Sequence, residues 1–315
     1  MEPAPLFEDI ARGPGGGAAY WVDAADGLRL RVGHWPRGDR GTVLMFPGRT
    51  EYVEKYGDSA REFAARGYGL IAVDWRGQGL ADRMLGDRLG GHVMRFTDYQ
   101  MDVAATVAAA RRLDLPRPWH LVAHSMGGCI GLRALVEGLD VASVAFSAPM
   151  WGIALKPALR PLAWSLSWAA VRTGLDHRYA PGTSSASYPN TAPFGENMLT
   201  SDAEMYAWMA EQVDCHPELT LGGPSMRWLG EALRETRELS LLASPDLPCL
   251  CILGSEEKIV DAQRIRERMA VWPGSRLELV DGGRHECMME TPARRAAVFA
   301  MMADHFDAHS AASAA

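Results

Sequence analysis

A serine flanked at two residues' distance by small side chains stands in the run Ala123-His124-Ser125-Met126-Gly127. A serine hydroxyl becomes a competent nucleophile only when a base takes its proton and a third group fixes the tautomer of that base. The apolar run His120-Leu121-Val122-Ala123 before it reads as a buried strand. After it, Ile130, Leu132, Ala134 and Leu135 open a helical pattern that ends near Gly138. A sharp strand-to-helix turn at Ser125 lifts the hydroxyl out of the sheet and aims the N–H of Met126 at a reacting carbonyl. Larger side chains at 123 or 127 would collide with the adjoining strand and helix. The chemistry this turn supports is acyl transfer through a serine.

The base must come from further along the chain. The histidines after Ser125 are His177, His216, His285, His305 and His309. Of these only His285 falls in a loop directly after an apolar core strand, Leu277–Val280, with Gly282 and Gly283 to let it approach. The acid is expected after the preceding strand, in Gly254-Ser255-Glu256-Glu257-Lys258, where Glu256 and Glu257 compete and Asp261 is a third candidate. A second oxyanion donor is expected from the loop after the first core strand, Pro47-Gly48-Arg49. There Gly48 allows a close backbone approach, and the N–H of Arg49 would join that of Met126. Each such donor is typically worth about 3–4 kcal/mol in the transition state. His124 alternates away from the nucleophile side and reads as structural, as do His92 and Asp102.

The elements that must carry these residues follow from periodicity. Ala18–Asp23 and Leu28–Trp35 flank an Asp-Gly turn and read as an antiparallel pair. Strands at 42–46, 69–74, 141–146, 247–253 and 276–280 alternate with helices at 53–66, 96–113, 261–270 and 291–306. Strands apolar on both faces and alternating with helices predict an α/β fold, with a mostly parallel sheet flanked by helices. The alternation stops near residue 150 and resumes near 245. Five of the ten tryptophans fall between (Trp151, Trp164, Trp168, Trp208, Trp228), so the enrichment there is real. The expected organisation is a core of 18–149 and 245–308, an inserted helical cap over 150–244, and loosely held termini at 1–17 and 309–315. Leu155, Leu159, Leu162 and Leu166 recur at helical spacing in the cap. Packing of the cap against the core is the first reading of that stripe; an acyl-chain tunnel or a lid dipping into a membrane interface is the alternative.

Composition sets outer limits. A chain that is 48% hydrophobic and 23% charged has an ordinary globular make-up, and a net charge of −7 argues against a nucleic-acid partner. The five cysteines complete no zinc-type spacing and suggest a reducing compartment. No signal peptide and no spanning apolar run is evident, so a cytoplasmic location is expected, with contact at the inner membrane face left open.

Taken together, these motifs resemble the α/β-hydrolase group that contains L2-type lysophospholipases and monoacylglycerol lipases. Phe46-Pro47-Gly48-Arg49-Thr50-Glu51-Tyr52 is similar to its His-Gly-x-x-Glu oxyanion loop, with Pro47 in place of the histidine. Asp74-Trp75-Arg76-Gly77-Gln78-Gly79 resembles its Asp-x-Arg-Gly-x-Gly turn, and Ala123–Gly128 its nucleophile elbow, with Ala123 for glycine. Gly254–Val260 resembles its Gly-x-x-Asp-x-x-Val acid loop, and this places Glu257, in place of aspartate, on the acid. Asp281–Glu286 completes the set. The resemblance implies an α/β-hydrolase fold and a Ser125–His285–Glu257 triad that cleaves acyl esters of lysophospholipid or monoacylglycerol type. It implies no metal and no cofactor. Glu51, Trp151, Trp164 and Trp168 are then the candidates to meet the substrate. Small-ester hydrolysis, acyl transfer and aminopeptidase action use the same triad and remain alternatives, as does a non-catalytic binding protein of this fold.

Overall fold

The apolar runs become the interior of one sheet, described by a computed structural model over residues 1–35 and 38–310. The first half comprises β1 (Glu2–Ala4), α1 (Glu8–Ala11), β2 (Ala18–Asp23), β3 (Arg29–Trp35), β4 (Thr42–Phe46), α2 (Gly57–Ala64) and β5 (Gly69–Asp74). It continues with α3 (Tyr99–Arg112), β6 (Trp119–His124), α4 (Met126–Val136) and β7 (Ser143–Ser147). Four helices follow without a strand between them: α5 (Arg160–Thr173), α6 (Tyr188–Thr191), α7 (Ala203–Cys215) and α8 (Met226–Leu241). Alternation resumes with β8 (Cys249–Gly254), α9 (Ala262–Val271), β9 (Arg276–Val280) and α10 (Pro292–His309). The strand order is β1-β2-β3-β5-β4-β6-β7-β8-β9. Pairing is antiparallel from β1 through β3 to β5 and parallel in every pair beyond.

Period-two alternation sorts the central side chains onto two faces. Leu44, Phe46, Ile71, Val73, Leu121, Val144, Phe146, Cys249 and Cys251 pack on one face, with residues of α3, α4 and α8. Val43, Met45, Leu70, Ala72, Val122, Ala145, Leu250 and Ile252 pack on the other, against α2 and α10. Cys249 and Cys251 thus share one face, as their spacing suggests.

Two expectations need correction. Residues 1–17 are held rather than loose. β1 pairs with β2, Ile10 and Ala11 are buried, and the Ile10 carbonyl accepts Nε1–H of Trp208 at 2.9 Å and Nε2–H of Gln212 at 3.0 Å. The apolar residues Phe7 and Ile10 do this inside a segment whose Pro and Gly content suggests a tail. At the other end His309 closes α10, and 311–315 lie outside the described residues.

The leucine stripe is the second correction. Leu159, Leu162, Leu166 and Leu175 are exposed, and Trp168 is 61% exposed. The buried positions of α5 are the small residues Ser167 and Ala170. At Gly230 on α8 an added Cβ would come within 2.8 Å of the Ser167 Cβ. Small residues let α5 and α8 approach closely, so the larger apolar side chains of α5 are left facing outward.

Candidate active site

Ser125 sits between β6 and α4 with φ 49° and ψ −117°, a backbone region that L-residues rarely occupy. The turn is held by Ser125 N–H donating to the Ser147 carbonyl at 3.1 Å and by Met150 N–H donating to the Ser125 carbonyl at 2.8 Å. A Cβ on Gly127 would lie 2.1 Å from the Phe46 carbonyl oxygen, so only glycine fits there. The departure from glycine at Ala123 is accommodated by Gly131 on α4, where a Cβ would already stand 3.2 Å from the Ala123 Cβ. Met126 opens α4, where a helix N–H has no partner within its own helix.

His285 follows β9 and Glu257 follows β8. Ser125 O–H donates to His285 Nε2 at 2.9 Å, and His285 Nδ1–H donates to Glu257 Oε2 at 2.7 Å. Glu257 Oε1 accepts the N–H groups of Ile259 at 2.6 Å and Val260 at 3.1 Å. Burial pushes the Glu257 carboxyl up, but the nearby His285 charge and these hydrogen bonds outweigh it and hold its pKa below the ordinary carboxylate value. Glu256 and Asp261 are not in this chain of contacts. Glu256 points at Arg284, and Asp261 accepts Arg264 N–H at the start of α9 and pairs with Arg160 at 2.5 Å.

The loop offering Arg49 is braced by the Asp74–Gly79 turn. Trp75 Nε1–H donates to the Pro47 carbonyl at 2.9 Å and Gln78 Nε2–H to the Gly48 carbonyl at 3.0 Å, while Gln78 Oε1 accepts Thr50 N–H at 3.2 Å. Asp74 is tied to Arg31 at 2.7 Å and accepts Val53 N–H at 2.8 Å. Arg76 is paired with Asp102 at 2.7 Å, and His92 Nδ1 meets Ser225 Oγ at 2.9 Å, so Asp102 and His92 hold structure.

Three of the candidate substrate contacts are placed elsewhere, and a fourth is already engaged. The cavity over Ser125 and His285 is about 340 Å³ and is lined on its apolar side by Met150, Ile153, Met209, Val213, Leu221 and Trp228. Trp151 is not among its walls. It is buried against Phe146 and Trp272, and its Nε1–H donates to the Gly128 carbonyl at 3.1 Å. Trp164 and Trp168 belong to α5, whose close packing on α8 turns Trp168 to the outside. Glu51 does reach the cavity, yet its carboxylate accepts Gly48 N–H and Tyr56 O–H and pairs with Lys55 at 2.5 Å. It shapes the loop from within. Trp228, in contrast, lines the cavity and was not singled out by its spacing.

Behind Ser125 and His285 lies a buried charge cluster. Lys55 Nζ also pairs with Glu286 at 2.6 Å, and His124 Nε2 stands 3.3 Å from Glu286 and 3.5 Å from Glu51. Burial works to lower the His124 pKa, but the Glu286 and Glu51 charges prevail and raise it. Glu51, His124 and Glu286 could by spacing hold a metal ion, having ligand atoms within 4.8 Å. The Lys55 ammonium already supplies the positive charge there, so the donor set does not fit an added cation. Lys55→Met should leave two dry carboxylates facing each other and destabilise the fold by about 3–5 kcal/mol. Urea unfolding measures this, and a change under about 1 kcal/mol contradicts the charge-cluster account.

The chain matches the family described as serine aminopeptidase, S33, over residues 38–292. It is 30% identical over 299 residues to lysophospholipase L2 of Escherichia coli, across 91% of this chain and 85% of that protein. It is 28% identical over 254 residues to probable lysophospholipase L2 of Haemophilus influenzae, across 80% and 79% of the two chains. Among solved structures it is similar to a soluble variant of monoglyceride lipase from Saccharomyces cerevisiae in complex with a substrate analog. That likeness has a TM-score of 0.70 at 20% identity, over 92% of this chain and 94% of the other, and concerns the fold.

Proposed function

Since the chain belongs to the serine aminopeptidase S33 family of α/β hydrolases, we propose that it cleaves lipid acyl esters by way of an acyl-enzyme on Ser125. It is a carboxylic-ester hydrolase, and its relatives named lysophospholipase L2 support lipid esters as the substrate class. In the proposed mechanism His285 takes the Ser125 proton as the hydroxyl attacks the ester carbonyl. Glu257 stabilises the imidazolium, and the N–H groups of Arg49 and Met126 hold the oxyanion. The alcohol leaves with the proton from His285. Water, activated by the same histidine, then releases the fatty acid and restores the serine.

The observation that carries this reading is the hydrogen-bonded run from Ser125 through His285 to Glu257 at the floor of a mostly apolar cavity. Such walls suit an acyl chain of lysophospholipid or monoacylglycerol type. Aminopeptidase action is less well supported. A substrate ammonium needs a free carboxylate, and the two that reach the cavity, Glu51 and Glu286, are both paired with Lys55. No helix among the described residues is long and apolar enough to cross a membrane. The outward leucines of α5 with Trp168 support a cap that rests on a lipid surface without spanning it. The test is a chain-length series of p-nitrophenyl esters. Octanoyl and longer esters should exceed acetyl in kcat/KM by tenfold or more, and a preference for acetyl would sink the lipid-ester reading.

A further inference from the structure

Hydrolysis as described uses only the backbone of Arg49 and leaves its side chain without a task. Arg49 lines the same cavity as Ser125 and His285. Its Nη2–H donates to the Gly222 carbonyl at 2.5 Å, and its Cζ stands 5.3 Å from the centre of the Trp228 ring. Its Nε is sealed from solvent and has no acceptor. Among the described residues no carboxylate pairs with it; the titratable groups it senses are the phenols of Tyr99 and Tyr179. Three buried cations have carboxylate partners, whereas a fourth, Arg268, has none among the described residues and gives its Nη groups to the Leu239 and Leu242 carbonyls and the Ser244 hydroxyl. Arg31 has Asp74 and Glu54, Arg76 has Asp102 and Asp26, and Lys55 has Glu51 and Glu286.

A half-buried cation with a sealed, unused donor is costly to a fold unless an anion offsets its charge. Burial lowers the Arg49 pKa only to about 10, so the group is still charged at neutral pH. Its position also constrains the anion. The guanidinium and the N–H offered to the oxyanion belong to one residue, so a bound anion would lie within a side chain's length of the scissile carbonyl. The apolar walls take the acyl chain, which leaves the alcohol side of the ester for the charge.

We propose that the Arg49 guanidinium is a subsite for the phosphodiester on the leaving alcohol of a lysophospholipid, and that it favours phosphate-bearing glycerol esters over neutral ones. This rests on the ester-hydrolase reading of the same cavity. Arginine suits the role because its planar fork matches phosphate oxygens with charge-assisted hydrogen bonds.

The test compares octanoyl lysophosphatidylglycerol with 1-octanoylglycerol, which share an acyl chain and differ in the phosphodiester. In Arg49→Gln the ratio of their kcat/KM values should fall by about 10- to 100-fold relative to wild type, with Arg49→Lys falling between. A loss of equal size on both esters assigns the side chain to the loop or the oxyanion and overturns the proposal. A second measurement needs no variant. Glycerophosphoglycerol should inhibit wild-type hydrolysis of 1-octanoylglycerol competitively, whereas glycerol at the same concentration should not. Inhibition by inorganic phosphate as strong as that by the phosphodiester would mean a site for free phosphate and defeat the headgroup assignment. Wild type inactive on both esters would remove the hydrolase reading and this one with it; an active wild type with an unmoved ratio removes this one alone.

Discussion

Ser125→Ala is expected to lower kcat for ester hydrolysis by about 10⁵- to 10⁶-fold while leaving the fold intact. The hydroxyl is the atom that would form the acyl bond, and His285 Nε2, 2.9 Å away, has no other task in the scheme. Removing one oxygen from a partly exposed side chain costs little packing, so the unfolding free energy should change by less than about 0.5 kcal/mol. Two readouts separate chemistry from folding. A fluorophosphonate probe should label wild type and not the variant, and thermal unfolding should coincide for the two. Retained labelling in the variant would show that another residue is the nucleophile. An unlabelled wild type would instead point to a binding protein of this fold.

Glu257→Gln should reduce kcat by about 10³- to 10⁴-fold with a small change in KM. The amide is nearly the same size, but it offers no negative charge to the imidazolium and no longer fixes which ring nitrogen carries the proton. The carboxylate matters to the fold as well, and the sign can be worked out. Its folded pKa is depressed below the ordinary 4.5, so its contribution to stability is complete above that value and is lost as pH falls through the lower folded value. Acid unfolding of Glu257→Gln should therefore lack the corresponding loss below about pH 4.5. If Glu256→Gln instead gives the large kcat effect, the acid has been misassigned between neighbours.

The sheet and the nucleophile turn were legible because each leaves a local signature. Apolar runs such as Thr42–Phe46 and Gly69–Asp74 are too short for helices and too uniform for a half-exposed strand. Ser125 has small neighbours on both sides because Gly127 touches the Phe46 carbonyl, a contact that any β-carbon would forbid. The choice of Glu257 over Glu256 was not local. It came from the likeness of Gly254–Val260 to a known loop, and in the structure the Glu257 carboxylate meets His285 and accepts the N–H groups of Ile259 and Val260.

What escaped the sequence depends on partners far apart along the chain. Lys55 meets Glu286 across 231 positions, and nothing in the residues around either announces the other. Glu51 is the exception: Lys55 and Tyr56, which occupy its carboxylate, lie only four and five positions further on. The tryptophans misled for the long-range reason. Their abundance falls in the stretch that carries α5–α8, but which ring faces inward is decided by small residues, Ser167 and Ala170 on α5 and Gly230 on α8, that set how closely two helices approach. Held at that distance, Trp168 ends outside.

The place where α5–α8 join the sheet has a consequence for how such a protein can change. The chain departs after Ser147 and comes back at Cys249, on strands that are hydrogen-bonded neighbours in register, Val144 beside Cys249 and Ser147 beside Ile252. Because the two strands run parallel, the excursion leaves from one end and returns at the other, so the sheet fixes its tethers about 11 Å apart, one strand spacing across and three residues along. Lengthening a segment anchored in this way costs only about 0.6 kcal/mol of closure entropy per doubling. With α8 kept on the sheet face, the part carrying α5–α7 can be rebuilt or lengthened while the floor beneath keeps its register, so what enters the enzyme and what is done to it can be inherited separately.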